Sequence, residues 1–357
     1  MVNPNFWKSK NVFVTGHTGF KGSWLTYWLH QLGANITGYS LDPEPQQRLF
    51  QDLDISKKLT DCRGNICNLE DLSGALKDSE PDVVIHLAAQ SIVRTSFQRP
   101  LATIETNVLG TAVLLQACRS ICSIRAVLII TSDKCYENVG AARPYNENDA
   151  LGGHDLYSAS KACAEIISQA YRASFYQGHD KVGVATARAG NVIGGGDWAK
   201  DRIVPDAIRA FRECNILKIR NPDAIRPWQH VLEPLSGYIS LAEHLYTDPE
   251  RFSSSWNFGP HFNDTVSVAS LCDVLVNHYG GGTTWEFEQP QNPLPEAALL
   301  RLSIDKANTD LAWSPKWNLQ NAVKHTIDWY KADYRKEDLH SITKQQILRY
   351  QGCTDDL

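Results

Sequence analysis

The sequence predicts an α/β fold, a doubly wound parallel sheet followed by a smaller, mixed α/β C-terminal domain. Strand-like and helix-like segments alternate through the first half of the chain, as in βαβ units. Several strand-like runs are apolar without interruption, which is typical of strands covered on both faces. A glycine-rich turn separates the first strand from the first helix. These three observations together predict a Rossmann-type dinucleotide-binding domain.

The elements follow from apolar spacing in order along the chain. The strand Asn11–Val14 is a short apolar run, and Trp24 and Trp28 in the next segment lie one helical turn apart. Pro81 ends a later helix before a continuous apolar run. The predicted strands are Asn11–Val14, Ile36–Leu41, Val83–Leu87, Ala126–Thr131 and Gly183–Arg188. The predicted helices are Gly22–Gln31, Leu69–Lys77, Asn107–Cys118 and Ser158–Tyr176.

The alternation breaks after Ala189, where glycines cluster and prolines and tryptophans become frequent. We therefore expect a cofactor-binding domain over residues 1–188 and a mainly substrate-binding domain over 189–340. A segment near 228–258 is expected to return to the first domain. Residues 341–357 form a charged tail to which the sequence assigns no role.

Composition excludes several classes of protein. The 357 residues carry a formal net charge of −5, so the chain as a whole gains no attraction to nucleic acid or anionic membrane. The N-terminus lacks the apolar stretch of a signal peptide, and no uninterrupted apolar run approaches bilayer length. Nine cysteines without a CxxC pair, and no histidine pair at zinc-ligand spacing, favour free thiols, no metal and a cytoplasmic protein.

The glycine-rich turn has the spacing GxxGxxG and lies between a strand and a helix. Such a turn brings the backbone and the helix N-terminus close to a pyrophosphate. The expected cofactor-binding residues are Gly16, His17, Thr18, Gly19, Phe20, Lys21 and Gly22. Asp42 ends the second strand, where a carboxylate hydrogen-bonds ribose hydroxyls and repels a 2′-phosphate, so NAD is favoured over NADP. Lys21 and Arg48 are cations that can tolerate a 2′-phosphate, so NADP stays an alternative cofactor.

Tyr157 and Lys161 share one face of the predicted long helix. A lysine ammonium beside a phenol is expected to lower the pKa of the phenol, so that Tyr157 acts as a general base. Ser132 follows a buried strand and is expected at the same edge of the sheet, where its hydroxyl can bind the same substrate oxygen. Taken singly, each of these residues has an ordinary structural explanation; it is their combination that indicates catalysis.

TGHTGFKG, Ser132 and YSASK together resemble the extended short-chain dehydrogenase/reductase family, which acts largely on nucleotide sugars. The resemblance extends to about residue 330. It implies NAD contacts from Leu87, Ala88, Ala89 and Asn107, as well as from Tyr157 and Lys161. It also implies adenine-side contacts from Asn65 and Ile66. The family usually has an acid at the position of Asn65, and this departure weakens the adenine contact.

Asp133 and Lys134 after Ser132 resemble the pattern of the nucleotide-sugar 4,6-dehydratases, with lysine in place of the usual second acid. This variant resembles the branch that converts CDP-D-glucose and supplies 3,6-dideoxyhexoses for bacterial O-antigen. The resemblance implies that Tyr157, Ser132 and Lys161 carry oxidation at C4. Asp133 would then protonate the departing C6 hydroxyl, and Lys134 is the candidate base for the C5 proton.

Arginines are expected to bind the substrate pyrophosphate, because their planar guanidinium suits bidentate phosphate contacts. Asn191 is expected to contact the phosphate or sugar, and apolar residues to pack on the ribose and base. The full set of expected substrate-binding residues is Gln90, Asn191, Arg202, Val204, Pro205, Ile219, Arg220, Arg226 and Arg301. The sequence leaves the preferred nucleotide base open.

Three other functions compete with dehydration. A nucleotide-sugar 4-epimerase of the same family needs Ser132, Tyr157 and Lys161 but no acid–base pair at 133 and 134. A non-catalytic NAD-binding regulator is disfavoured because both Tyr157 and Lys161 are present. Nucleic-acid binding lacks a basic tract. The resemblance also implies a homodimer or homotetramer with a four-helix interface built from Asn107–Cys118 and Ser158–Tyr176.

Overall fold

The computed structural model describes residues 2–141, 143–177, 182–289 and 299–353. The strands in chain order are β1 (Asn11–Thr15), β2 (Asn35–Ser40), β3 (Thr60–Arg63), β4 (Val83–His86), β5 (Ala126–Ile130), β6 (Gly183–Ala189), β7 (Val192–Ile193), β8 (Leu217–Ile219), β9 (Ile225–Pro227), β10 (Gln229–His230), β11 (Ser255–Phe258), β12 (Thr265–Ser267) and β13 (Trp285–Phe287).

The helices are α1 (Pro4–Trp7), α2 (Phe20–Gln31), α3 (Leu49–Asp52), α4 (Leu69–Ser79), α5 (Val93–Gln98), α6 (Pro100–Ile104), α7 (Gly110–Cys118), α8 (Leu156–Phe175), α9 (Ile203–Arg212), α10 (Leu232–Thr247), α11 (Pro249–Phe252), α12 (Val268–Tyr279), α13 (Asp305–Asp310), α14 (Leu319–Tyr334) and α15 (Leu339–Gln351). Short 3₁₀ turns occupy Ile55–Lys58, Asp133–Cys135 and Phe262–Asp264, and a π-helical turn at Glu105–Leu109 joins α6 to α7.

Among the described residues, seven strands form one parallel sheet in the order β11-β6-β5-β4-β1-β2-β3. The change of direction between β1 and β4 opens a crevice at the carboxyl ends of the strands, where open α/β sheets bind ligands. The predicted doubly wound parallel sheet is confirmed. Three two-stranded sheets, β7-β10, β8-β13 and β9-β12, lie in the C-terminal half.

Alternate residues of each central strand enter different hydrophobic cores. In β5, Leu128 packs into the core that contains α2 and α10, whereas Val127 packs into the core that contains α4 and α7. This alternation shows that both faces of the sheet are covered, which explains the uninterrupted apolar runs. The first core continues without a break into α9, α12, α14 and α15, so the domain boundary at residue 188 stays a prediction.

The chain returns to the sheet after residue 228. Helix α10 packs on β5 and β6, and β11 pairs with β6 in the register Ser255↔Thr186 through Phe258↔Ala189. This strand completes one edge of the sheet and carries the loop after residue 258 toward the crevice.

Residues 339–351 of the C-terminal region form helix α15, which packs on the α2 side of the molecule. The Tyr350 hydroxyl donates to Glu233 Oε2 at 2.5 Å, and the rings of Tyr350 and Trp28 meet edge to face. Part of the segment that the sequence left as a tail is therefore built into the main core. Residues 354–357 lie outside the described residues.

The segment Pro100–Cys118 is long and apolar enough, by length and composition alone, to cross a bilayer. The sequence-based search for uninterrupted apolar runs did not find this segment, because the polar residues Thr103, Glu105 and Asn107 interrupt it. In the fold, 44% of the most apolar 18-residue stretch of this segment is buried. All nine cysteines are free thiols.

Glu243 of α10 anchors the N-terminal helix α1. Its Oε1 accepts hydrogen bonds from the backbone N–H of Asn3 at 2.9 Å and from Trp7 Nε1 at 2.6 Å. Burial raises the pKa of this carboxyl to about 7, in spite of the two hydrogen bonds, which act in the opposite direction. The carboxyl therefore binds its proton more tightly in the folded chain than in the unfolded chain.

Because the folded-state pKa is raised, protonation of Glu243 stabilises the fold, and this contribution is lost as pH rises from about 4.5 through 7. Glu243→Gln keeps an acceptor for both donors and removes the titration. We expect the variant to exceed the wild-type free energy of unfolding by less than about 1 kcal/mol at pH 5 and by up to roughly 3 kcal/mol at pH 8. Urea unfolding at the two pH values measures the difference; an equal offset at both would contradict the assignment.

Candidate active site

A cavity of about 1220 Å³ opens at the carboxyl ends of the central strands. The glycine-rich turn, the loops after β4 and β5, the start of α8 and the loop after β6 all contribute to its walls. Its far end is formed by α9 and β8. One continuous space therefore joins the predicted cofactor-binding turn to the predicted substrate-binding segments.

The glycine-rich turn requires glycine for two different reasons. Gly16 has φ +73°, and a Cβ there would lie 2.6 Å from the backbone nitrogen of Ala88. A Cβ at Gly22 would lie 2.1 Å from the carbonyl oxygen of Gly16. Gly19 precedes α2 and offers no side-chain cap to the N–H groups of its first turn. The turn is thus a cradle that accepts an anion at a helix N-terminus.

Most of the turn lines the cavity, but His17 does not. Its side chain is fully buried beside β2, where the missing side chain of Gly38 leaves room for the ring. His17 Nε2 lies 2.9 Å from Asp61 Oδ1, and burial lowers the pKa of the imidazole. His17 therefore supports the turn from behind, contrary to its expected role as a cofactor contact. The cavity-lining members are Gly16, Thr18, Gly19, Phe20, Lys21 and Gly22.

Asp42 lines the cavity at the end of β2, and its side chain is 89% exposed. Its carboxylate lies 3.6 Å from Arg63 Nε, a partner that the sequence did not indicate. Asn65 and Ile66 also line this end. The position of Asp42 suits a ribose contact.

The loop after β4 contributes Leu87, Ala88 and Ala89 to the cavity wall. Gln90 and Asn107, in contrast, do not line it. Asn107 Oδ1 accepts from the Gln90 backbone N–H at 2.9 Å, and its Nδ2 donates to Ser160 Oγ at 2.9 Å. These hydrogen bonds hold the loop on α8 next to Lys161, so both residues support the cavity wall.

Ser132, Asp133 and Lys134 line the cavity on the 3₁₀ turn that follows β5. The Ser132 hydroxyl donates to Asp133 Oδ1 at 3.1 Å and accepts from the Lys134 backbone N–H at 3.3 Å. Asp133 is buried, and its Oδ2 has no hydrogen-bond partner among the described residues. The turn therefore presents a hydroxyl and a buried carboxyl side by side.

Tyr157 and Lys161 occupy the first turns of α8, which Asp155 caps by accepting from the Ser158 backbone N–H at 2.9 Å. Lys161 Nζ donates to the Ile130 carbonyl at 3.2 Å. Burial lowers the pKa of Lys161 to about 8.

The pKa of Tyr157 differs from the sequence-based expectation. Burial raises the pKa of the phenol to about 12, although hydrogen bonding to Ser132 and the charge of Arg202 lower it. Desolvation outweighs the nearby charges because both members of the Tyr157–Lys161 pair are buried. A lowered phenol pKa is thus not a property of the protein alone.

The substrate-side residues divide into seven that line the cavity and two, Gln90 and Arg301, that do not. The lining members are Asn191, Arg202, Val204, Pro205, Ile219, Arg220 and Arg226. Asn191 has φ +26°, and its buried Oδ1 has no partner among the described residues. Arg301 is not part of the lining, and its guanidinium lies 4.7 Å from the ring centre of Phe262.

Two residues that were not among the expected site residues hold Arg202 in place. Arg202 Nη1 donates to Asp197 Oδ2 at 2.8 Å, and Nη2 donates to Ser91 Oγ at 3.1 Å. Arg220 lies 3.5 Å from Asp201. Acidic side chains thus hold Arg202 and Arg220 at the far end of the cavity.

Comparison with known proteins bears on this arrangement. The family model described as GDP-mannose 4,6 dehydratase matches residues 13–326. The chain belongs to this family. It is 45% identical to the CDP-glucose 4,6-dehydratase of Salmonella typhimurium over 359 aligned positions, which cover 99% of both chains. It is 26% identical to the dTDP-glucose 4,6-dehydratase of Shigella flexneri, over 96% of this chain and 99% of the relative.

Solved structures of related enzymes share the fold of this family member. The dTDP-glucose 4,6-dehydratase of Bacillus anthracis, in complex with NAD, superposes with a TM-score of 0.77 at 20% identity, covering 92% of this chain and 99% of the other. A dTDP-glucose 4,6-dehydratase from Streptomyces venezuelae, with NAD bound, gives 0.78 at 19% identity, covering 92% and 98%.

The close approach at Gly22 predicts a stability loss that an exposed glycine does not share. Gly22→Ala places a methyl group against the Gly16 carbonyl and should lower the free energy of unfolding by about 1–3 kcal/mol. The control is Gly74→Ala on the exposed face of helix α4, where a Cβ meets nothing within 4 Å. This change should raise stability by about 0.5–1 kcal/mol. Chemical denaturation of both variants tests the contrast, and equal effects would contradict it.

Proposed function

We propose that the chain dehydrates CDP-D-glucose to CDP-4-keto-6-deoxy-D-glucose, with NAD as its cofactor. The carrying observation is that the Ser132–Asp133 turn and the Tyr157–Lys161 pair line one cavity with the glycine-rich turn. Family membership and 45% identity to a CDP-glucose 4,6-dehydratase support this reaction. We place the product upstream of 3,6-dideoxyhexose formation for O-antigen, in the cytoplasm.

The cavity residues around the glycine-rich turn fit NAD. The turn from Gly16 to Gly22 leaves room for a pyrophosphate that no Cβ obstructs, and α2 begins there. Asp42 is placed to bind ribose hydroxyls and to repel a 2′-phosphate, which favours NAD over NADP. Bound NAD would supply the hydride acceptor for C4 and the hydride donor for C6 of the sugar, so the reaction has no net oxidation.

Tyr157 removes the proton of the 4-hydroxyl as C4 is oxidised, and Ser132 holds the same oxygen by a hydrogen bond. Because burial raises the pKa of Tyr157, formation of the phenolate depends on cationic side chains near the phenol. Arg202 acts in this direction, and Lys161 supplies a second positive charge on the same helix face as Tyr157.

Water loss follows once C4 is a ketone, which acidifies the C5 proton. Lys134 in its neutral form takes this proton, and the C5–H electron pair becomes the C5=C6 double bond. Asp133 in its protonated form delivers a proton to the C6 hydroxyl oxygen as the C6–O bond breaks. The buried position of Asp133 beside Ser132 favours delivery at this point.

The far end of the cavity suits a nucleoside diphosphate. Arg202, Arg220 and Arg226 line it with planar guanidinium groups that suit phosphate oxygens. Asn191 also lines the cavity, with an amide oxygen that can accept from a sugar hydroxyl and an amide nitrogen that can donate to phosphate, and Val204, Pro205 and Ile219 supply apolar surface for ribose and base. Gln90 and Arg301 do not line the cavity, and we do not assign them to substrate binding.

We also infer that two chains associate through the helices on the α7–α8 side. Leu101 and Leu109 of the Pro100–Cys118 segment are 79% and 50% exposed, and Ile166 of α8 is 52% exposed. Two copies of such a pair of helices would bury these side chains in a four-helix interface. Sedimentation velocity of the full chain checks the dimer or tetramer, and a monomer at micromolar concentration would contradict the interface.

Incubation with NAD and CDP-, dTDP-, UDP- and GDP-glucose tests the function. We expect a product lighter than CDP-glucose by one water, detected by mass spectrometry, with the other three sugars converted more slowly. Tyr157→Phe should retain NAD binding and lose about 10²–10⁴ in turnover, as expected for loss of a positioned base. A product of unchanged mass would instead indicate an epimerase.

Replacing the acid and the base separates dehydration from oxidation. Lys134→Met retains much of the aliphatic bulk, and Asp133→Asn retains the shape of the carboxyl. Both variants should still reduce bound NAD on mixing with CDP-glucose and then stall without the 6-deoxy product. Single-turnover absorbance of reduced nicotinamide at about 340 nm, paired with mass analysis of the sugar, separates the two steps. Wild-type product formation by Lys134→Met would remove Lys134 as the base.

A further inference from the structure

The carboxyl of Asp133 occupies space that a side chain at Gly190 would fill. A Cβ built on Gly190 would lie 2.0 Å from Asp133 Oδ2 and 2.5 Å from its Cγ. Gly190 is not in the positive-φ region, unlike Gly16 and Gly196. Its backbone conformation is therefore open to any residue, and it is the position of the Asp133 carboxyl that requires glycine here.

Gln229 holds the peptide of Gly190 at this position. Its Nε2 donates to the Gly190 carbonyl at 3.2 Å and to the Phe258 carbonyl at 3.0 Å, and its backbone N–H donates to the Asn191 carbonyl at 3.3 Å. The Gln229 side chain is 1% exposed. The loop after β6 is thereby tied to the end of β11, so Gly190 cannot retreat freely from the carboxyl.

The two oxygens of Asp133 have different surroundings. Oδ1 accepts the Ser132 hydroxyl, whereas Oδ2, the oxygen nearest the Gly190 Cβ position, has no partner among the described residues. Oδ2 therefore has an unfilled hydrogen-bonding position, which can hold a proton. Its position depends on Gly190 on one side and on the Ser132 contact on the other.

We propose that Gly190, fixed by Gln229, is a positioning residue that seats the Asp133 carboxyl for protonation of the C6 hydroxyl. The proposal rests on the proposed function, in which the proton moves from Asp133 to the C6 oxygen and the C6–O bond breaks to release water. Gly190 acts on this step only, because oxidation at C4 uses Tyr157, Ser132 and Lys161.

Gly190→Ala adds one methyl group against the carboxyl and tests the proposal. Rapid mixing with CDP-glucose should reduce bound NAD with wild-type amplitude, whereas formation of the 6-deoxy product should slow by about 10²-fold, the scale expected for a displacement near 1 Å. The matched control is Gly259→Ala, at the end of β11, where the nearest atom to a Cβ is 3.3 Å away. This control should dehydrate at the wild-type rate.

A double-mutant cycle shows whether the effect passes through Asp133. In an Asp133→Asn background, Gly190→Ala should cause no further loss of the residual product that forms in long incubations, because the acid is already absent. An additional loss of tenfold or more there would overturn the proposal. So would an equal decrease of the oxidation and dehydration rates in Gly190→Ala, which indicates general damage to the site.

Gln229→Leu decides the case if Gly190→Ala does not fold. This variant keeps the approximate volume and removes both side-chain donations, so we expect product formation to slow by about tenfold while NAD reduction persists. Unchanged dehydration in the foldable variant overturns the positioning role. If Asp133→Asn itself forms product at the wild-type rate, the proposed acid is wrong; if Asp133→Asn stalls and Gly190→Ala does not, only the positioning role fails.

Discussion

The buried ion pair between Glu165 and Arg188 is the interaction on which the site depends. Arg188 Nη2 donates to Glu165 Oε2 at 2.8 Å, and both side chains are at most 2% exposed. The same carboxylate accepts from Thr131 Oγ1 at 2.5 Å and from Thr186 Oγ1 at 2.7 Å. A buried charge is tolerated when its remaining hydrogen-bonding positions are filled, and these hydroxyls fill positions on the Glu165 carboxylate.

This one carboxylate connects the three elements that carry the chemistry. Glu165 lies one turn after Lys161 on α8, Thr131 immediately precedes Ser132 at the end of β5, and Arg188 lies two residues before Gly190 on β6. Contacts behind the cavity wall therefore set the relative positions of the base Tyr157, the Ser132 hydroxyl and the acid Asp133. The Arg188 guanidinium extends the connection by donating to the Tyr136 hydroxyl at 2.8 Å.

Charge inside the cavity is balanced differently at its two ends. Burial lowers the pKa of Lys21 to about 7 and that of Lys161 to about 8, with mutual repulsion and Arg202 adding to the effect on Lys21. Arginines at the far end keep their charge and are held by Asp197 and Asp201. The centre of the cavity thus has groups that gain or lose protons near neutral pH, while the far end keeps permanent cations for an anionic substrate.

The sequence by itself determined the parallel sheet, the glycine-rich turn and the Ser132, Tyr157 and Lys161 set, because periodicity and short motifs report local structure. It missed β3, whose residues Thr60–Arg63 lack an apolar pattern at the sheet edge. Only the tertiary structure turned His17 and Asn107 away from the cavity and removed Arg301 from it. The tertiary structure also raises the pKa of Tyr157 and packs the Asp133 carboxyl against Gly190. Both effects depend on residues distant in sequence, because desolvation and close contact arise only when the chain folds.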